Sequence, residues 1–94
     1  MIECDSGGRC NVRGALTMTN VTRVLEESAS LFRDTRLVVD LAGVTDVDSA
    51  AVSLLLEWQR QARAVNRHIE YVNLPPNLRS LADLYGVSEL LSAR

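Results

Sequence analysis

The sequence has no lysine and only one histidine, two cysteines, two prolines and four aromatic residues in 94 positions. The single histidine, His68, has no metal-ligand partner near it in sequence and belongs to no recognisable catalytic triad. Neither Gly-x-Gly-x-x-Gly nor a Gly-Lys-Ser/Thr phosphate loop is present, so no nucleotide site is visible. These absences predict a protein that is not an enzyme and that has no catalytic, cofactor-binding or metal-binding residues.

Excess positive charge is also missing. All ten basic residues are arginine, and they face twelve acidic residues, which gives a net charge of −2 and a pI of about 5.3. Proteins that bind nucleic acids usually carry a basic patch and a high pI. The charge balance therefore predicts no nucleic-acid partner, and we give the preference for arginine over lysine no functional weight.

Long hydrophobic runs are absent, since no uninterrupted apolar run exceeds three residues. A membrane-spanning helix needs about 20 mostly apolar residues, and Met1 is not followed by a basic and then apolar leader. We expect a cytoplasmic protein that reaches the inner face of a membrane only through a partner. A disulfide between Cys4 and Cys10 is sterically conceivable, but two cysteines alone favour buried thiols in a cytosolic protein.

Ordinary globular composition, with 47% apolar and 23% charged residues, predicts one domain over residues 1–94. The apolar pattern predicts the order β-β-α-β-α-β-α-α, with a hairpin at the start and a short last turn at 88–93. One face of the first helix carries apolar spacing at Val21, Val24, Leu25, Ser28 and Phe32. Strands that alternate with helices predict an α/β domain with a mixed, mostly parallel sheet and helices packed on it. The run "RLVVDL" suits a strand that is buried on both faces.

The stretch "VTDVDSAAV" (44–52) places polar residues between two apolar segments. One interpretation is structural, with Ser49 as the N-cap of the second helix and Asp46 or Asp48 closing a turn. The other is functional, because a helix N-terminus tolerates an added anion and an exposed serine there can accept a phosphate. Both interpretations stay open on the residues alone.

The second helix has more apolar residues than one buried face needs. If one side faces the sheet, then the other side carries a stripe of Ala50, Leu54, Trp58 and Gln61, which begins beside Ser49. Exposed leucine and tryptophan in one row are typical of an interface. The alternative is that a neighbouring element covers Trp58.

The segment "LVVDLAGVTDVDSAAVSLLLEW", with the β-β-α start and the "LRSLADLYGV" helix, resembles STAS domains. In that family a buried strand ends in an acidic turn, and Asp-Ser or Asp-Thr opens the next helix. The resemblance covers nearly the whole chain and implies a single STAS domain. In the anti-sigma factor antagonists of the family a partner kinase phosphorylates the serine that matches Ser49. Their pattern usually has glycine two residues later, where this chain has Ala51.

Within the family, the small size, the Asp-Ser step and the "LADLYGV" ending are most similar to MlaB-type subunits of bacterial phospholipid ABC transporters. This resemblance implies a non-catalytic subunit that binds the transporter ATPase, and thereby a part in outer-membrane lipid asymmetry. We expect Ser49, Asp46, Asp48, Ala50, Leu54 and Trp58 to contact that partner. The alternative is an anti-sigma factor antagonist whose partner is an anti-sigma factor kinase that phosphorylates Ser49.

Overall fold

A computed structural model describes residues 1–89 and 91, which form four strands and three helices. The strands are β1 (Ile2–Cys4), β2 (Arg9–Leu16), β3 (Arg36–Val47) and β4 (His68–Val72), and the helices are α1 (Val21–Leu31), α2 (Ser49–Ala64) and α3 (Pro76–Leu84). The predicted order is confirmed as far as α3. Half of the predicted last turn at 88–93 lies outside the described residues.

The four strands form one sheet in the order β1-β2-β3-β4. Strand β1 pairs antiparallel with β2, while β2 with β3 and β3 with β4 are parallel. The predicted α/β class and the mostly parallel sheet are therefore confirmed. Because β2, β3 and β4 run the same way, the loops that enter these strands lie at one end of the sheet and the loops that leave them lie at the other.

One face of the sheet carries the core. In β3 the side chains of Leu37, Val39 and Leu41 are buried, whereas Val38 and Asp40 between them are only partly covered. The same alternation occurs in β2 and β4. The prediction that "RLVVDL" is buried on both faces is therefore wrong, because α1 and α2 cover a single face and the other meets solvent. None of the helices in the described part of the chain is long and apolar enough to cross a bilayer.

Strand β3 is longer than its apolar run indicates. It continues through the polar residues to Val47, because Leu16 at the end of β2 pairs with Val47. The link between β3 and α2 is therefore the single residue Asp48. The acidic turn predicted between these elements is therefore only one residue long, and Asp46 lies in the strand.

The two cysteines form a disulfide, with an S–S distance of 2.04 Å. Cys4 and Cys10 face each other in the β1–β2 register, and the turn between them is held by the Asp5 carboxylate, which accepts hydrogen bonds from the backbone amides of Gly7 and Arg9. The expectation of free buried thiols is therefore wrong in this structure. The register of the short hairpin places the two sulfur atoms together.

Candidate functional site

Helix α2 is capped by Asp48 and not, as predicted, by Ser49. The backbone of Asp48 is extended (φ −136°, ψ −169°), and its Oδ1 accepts a hydrogen bond of 2.8 Å from the amide of Ala50. Ser49 is thus the first helical residue. Both aspartate and serine are good N-caps, and the length of β3 decides between them, because the strand ends one residue before Asp48.

The same carboxylate joins α2 to the loop that precedes α1. Asp48 Oδ2 accepts a hydrogen bond of 3.0 Å from the amide of Met18. Asn20 orders this loop further, since its Oδ1 accepts from the amide of Thr17 and its Nδ2 donates to the carbonyl of Ala15. Asp48 is therefore a structural link between two loops that lie at the same end of the sheet.

Ser49 is exposed at this link. No group in the described part of the chain forms a hydrogen bond with its hydroxyl, whereas Asp48 beside it accepts two. The hydroxyl projects from the first turn of α2, where backbone amides and the helix dipole favour an added negative charge. Ser49 is therefore available for a contact or a modification without loss of the cap.

An apolar groove of about 370 Å³ opens next to Ser49, between α1 and α2. It is lined by Met18, Val21, Thr22, Leu25, Ser49, Ala50, Ser53, Leu54 and Glu57. Met18 stands at its edge with 78% of its surface exposed. We refer to this feature as the Ser49 groove. It offers a partner an apolar surface that the isolated chain leaves partly open.

The negative charges around this end come from β3 and α2. Asp46 is exposed at the end of β3, Asp48 caps the helix, and Glu57 lines the groove one turn below Ser53. The Arg60 guanidinium bonds to the Glu57 carboxylate and holds the pKa of that group below its usual value. Of these acids only Glu57 lines the groove, and its charge is paired with Arg60, whereas Asp46 and Asp48 lie at the same end of the molecule.

The predicted exposed stripe on α2 is wrong for two of its four members, Leu54 and Trp58. Leu54 is 4% exposed and Trp58 1% exposed, because α1 packs on that side of α2. Helix α2 is buried against the sheet and against α1, and α3 also packs on it. Of the other two members of the stripe, Ala50 is partly exposed and lines the Ser49 groove, and Gln61 is exposed.

Trp58 is a core residue with a polar partner. Its Nε1 donates a hydrogen bond of 2.8 Å to Oγ of Ser28, and the Ser28 hydroxyl donates to the carbonyl of Leu25. The indole ring also packs on Phe32, with ring centroids 5.1 Å apart. Ser28 on the apolar face of α1 is the sequence signal for this contact, since a buried indole N–H usually needs an acceptor.

The first residues of α3 lie beside the same end of β3. Asn77 Nδ2 donates a hydrogen bond of 2.9 Å to the carbonyl of Thr45. The structure thus brings Asp46, Asp48, Ser49 and Ala50 together at one end of the molecule and adds Met18, which the sequence interpretation missed. Within the described residues, no group of three or more His, Cys, Asp or Glu side chains is arranged to hold a metal ion.

Comparison with known proteins gives matches over most of the chain. A family model described as "Mlab, STAS domain" matches residues 4–92. The intermembrane phospholipid transport system binding protein MlaB of Haemophilus influenzae is 31% identical over 65 residues, which are 69% of this chain and 62% of that protein. The matched segment thus spans less than two thirds of this relative.

Two solved structures share the fold. The anti-sigma factor antagonist SpoIIAA in its unphosphorylated form has a TM-score of 0.76 and 17% identity, over 100% of this chain and 86% of that one. The phosphorylated form of SpoIIAA from Bacillus has a TM-score of 0.70 and 19% identity, over 100% and 89% of the two chains. At such identities the likeness concerns the fold alone.

Proposed function

Because the chain belongs to the STAS domain family, we propose that it is a non-catalytic accessory subunit of an Mla-type phospholipid ABC transporter. In this proposal it binds the ATPase subunit and supports the assembly or activity of the transporter at the inner face of the membrane. The partial match to MlaB supports this choice. The observation that carries it is the exposed Ser49 groove, with its apolar lining and free serine hydroxyl.

The chemistry of this surface indicates what the ATPase must present. An apolar side chain suits the space between Met18, Val21 and Leu25, since burial of exposed apolar surface drives association. The carboxylates of Asp46 and Asp48, at the same end of the molecule, favour a basic residue on the partner. Ala50 is short and lets the partner approach α2 closely. Leu54 and Trp58 act from beneath the surface, where they set the distance between α1 and α2.

A titration of the ATPase tests the proposal. Met18→Asp places a charge in the apolar part of the contact, and Ser49→Asp adds a charge beside Asp48, so each variant is expected to weaken binding at least tenfold. Val65→Asp is the matched control, because Val65 is an exposed apolar residue (58%) at the other end of α2. Circular dichroism checks that all three variants fold.

The controls make the outcomes distinct. Loss of affinity in both Ser49-groove variants and not in Val65→Asp supports the proposed contact. Equal affinity of wild type, Met18→Asp and Ser49→Asp for the ATPase contradicts it. A loss confined to Val65→Asp places the contact at the opposite end of the molecule and likewise contradicts the proposal.

The second candidate function is an anti-sigma factor antagonist regulated by phosphorylation of Ser49. The observations that favour it are the free hydroxyl of Ser49 and the likeness of fold to SpoIIAA over the whole chain. Incubation with the anti-sigma factor kinase of the source organism and ATP, followed by mass spectrometry, distinguishes the two functions. Phosphate on Ser49, absent in Ser49→Ala, together with no binding to the ATPase, supports the antagonist. An unmodified chain that binds the ATPase supports the transporter subunit.

A further inference from the structure

Four arginines gather at the end of the molecule opposite Ser49. They lie in the segment 33–36, which leads from α1 into β3, and in the segment 63–68, which leads from α2 into β4. The two segments adjoin because β3 and β4 are parallel neighbours that start in register, with Arg36 opposite His68. The amide of His68 also donates a hydrogen bond of 2.7 Å to the carbonyl of Thr35. We refer to these two segments as the basic end.

Charge is divided unevenly along the chain. The basic end contains Arg33, Arg36, Arg63 and Arg67 and one acid, Asp34, so its net charge is +3 with neutral histidine. Since the whole chain carries −2, the remaining residues carry −5. The turn that enters β2 reaches the same end, since Gly8 accepts a hydrogen bond from the amide of Val38, and its Asp5 reduces the excess there from +3 to +2. The overall acidic pI therefore conceals a moderately basic surface.

Part of this charge has a structural use. Arg33 Nε donates to the carbonyl of Ser30, and Arg67 Nη1 donates to the carbonyl of Phe32, so both bind carbonyls at the end of α1. A guanidinium has five N–H donors, and each of these arginines uses one in the described contacts. Arg36 and Arg63 are exposed and form no side-chain hydrogen bond within the described part of the chain. The basic end thus keeps most of its donors for an anionic partner.

An exposed apolar residue lies among these charges. Val65, directly after α2, is 58% exposed and stands between Arg63 and Arg67 in sequence. Basic residues with an apolar side chain among them are typical of surfaces that rest on anionic bilayers, where the cations meet headgroups and the apolar group enters the interface. A purely ionic partner would bind the cations and leave Val65 without a contact, whereas a bilayer interface accepts both.

We propose that the basic end docks the protein on an anionic lipid surface. It can do so while the Ser49 groove is occupied, because β3 connects the two ends. The twelve residues of β3 would extend about 36 Å if the strand were regular. Even with the register shifts in its pairing with β2, the strand therefore covers most of the 31 Å long dimension of the molecule. The inference is independent of the Ser49 contact, since it is measured with lipid vesicles alone.

Vesicle co-sedimentation tests this docking, with phosphatidylcholine vesicles that contain or lack phosphatidylglycerol. Each arginine near an anionic surface strengthens binding by about 1 kcal/mol, or roughly fivefold. A triple variant with Arg33, Arg36 and Arg63 replaced by glutamine is therefore expected to bind about 100-fold more weakly. The matched control replaces Arg13, Arg23 and Arg79 by glutamine, which changes the net charge equally but leaves the basic end intact. Circular dichroism establishes that both variants are folded.

Three results support the proposal together: binding only with phosphatidylglycerol, loss in the first triple variant alone, and weakening as salt shortens the Debye length from about 30 Å to about 8 Å. Val65→Ser is expected to weaken vesicle binding several-fold without altering charge. No sedimentation at low salt, or equal loss in both triple variants, overturns the proposal. Binding to soluble polyglutamate that equals vesicle binding and is unchanged in Val65→Ser also overturns it, in favour of an acidic protein partner.

Discussion

The hydrogen bond between Trp58 and Ser28 gives the sharpest test of the packing of α1 on α2. Replacing Trp58 by alanine would cost about 3–5 kcal/mol, a large part of the roughly 5–15 kcal/mol that stabilises a typical domain. A smaller change is more informative. Ser28→Ala removes the acceptor and leaves the indole N–H buried without a partner, which costs about 1–3 kcal/mol. For a domain of this size each kcal/mol lowers Tm by about 4–8 °C.

A double-mutant cycle isolates the contact. Trp58→Phe keeps an aromatic ring in the core but has no N–H, so Ser28→Ala in that background leaves no unsatisfied indole. We expect Ser28→Ala to be at least about 1 kcal/mol less costly there than in the wild type. Urea unfolding of the four proteins measures this difference. Equal costs of Ser28→Ala in both backgrounds would refute the hydrogen bond. Unchanged stability of Trp58→Phe and Trp58→Ala would contradict the burial of Trp58.

Two further predictions concern aspartates with defined hydrogen bonds. Asp48→Ala should lower the free energy of unfolding by about 1–2 kcal/mol, because it removes the cap of α2. Ser49→Ala should change it by less than about 0.5 kcal/mol. Thermal melts in which Ser49→Ala is the less stable variant contradict the cap assignment. The amide of Ala42 donates to Asp40 and lowers the pKa of that carboxyl from 3.8. Its stabilising effect is therefore full well above the ordinary pKa of aspartate and is lost as the pH falls through the lowered pKa of the folded protein. In urea titrations across this range Asp40→Asn should lose less stability on acidification than the wild type, and parallel pH curves would contradict the assignment.

Features that depend on local sequence were predictable. The spacing of Val24, Ser28 and Phe32 defines the buried face of α1, because an amphipathic helix needs only its own period to show which side is apolar. Gly86 follows the C-cap Tyr85 of α3 with φ at +70°, a conformation that glycine adopts without a steric penalty. The order of elements followed from the alternation of such signals.

Features that depend on distant residues were not predictable in the same way. The period of α2 shows a broad apolar arc, but it does not show that α1 covers Leu54 and Trp58 while the sheet covers Leu55. The extension of β3 depends on the pairing of Leu16 with Val47. Because the strand ends at Val47, the cap of α2 is Asp48 and not the predicted Ser49. Met18 is isolated among polar residues in sequence, so no pattern marks it as part of a groove.

The division of roles between Asp48 and Ser49 determines what a phosphate on this helix could do. Asp48 already uses the amides of Ala50 and Met18, so a phosphate on Ser49 would not replace the cap. It would gain from the helix dipole by roughly 0.3–1 kcal/mol but would lie beside the carboxylates of Asp46 and Asp48. The fold would therefore be almost unaffected, whereas the charge would stand at the opening of the apolar groove that the proposed partner would fill. Such a modification acts on binding and not on folding, and this holds for an ATPase and for a kinase as the partner.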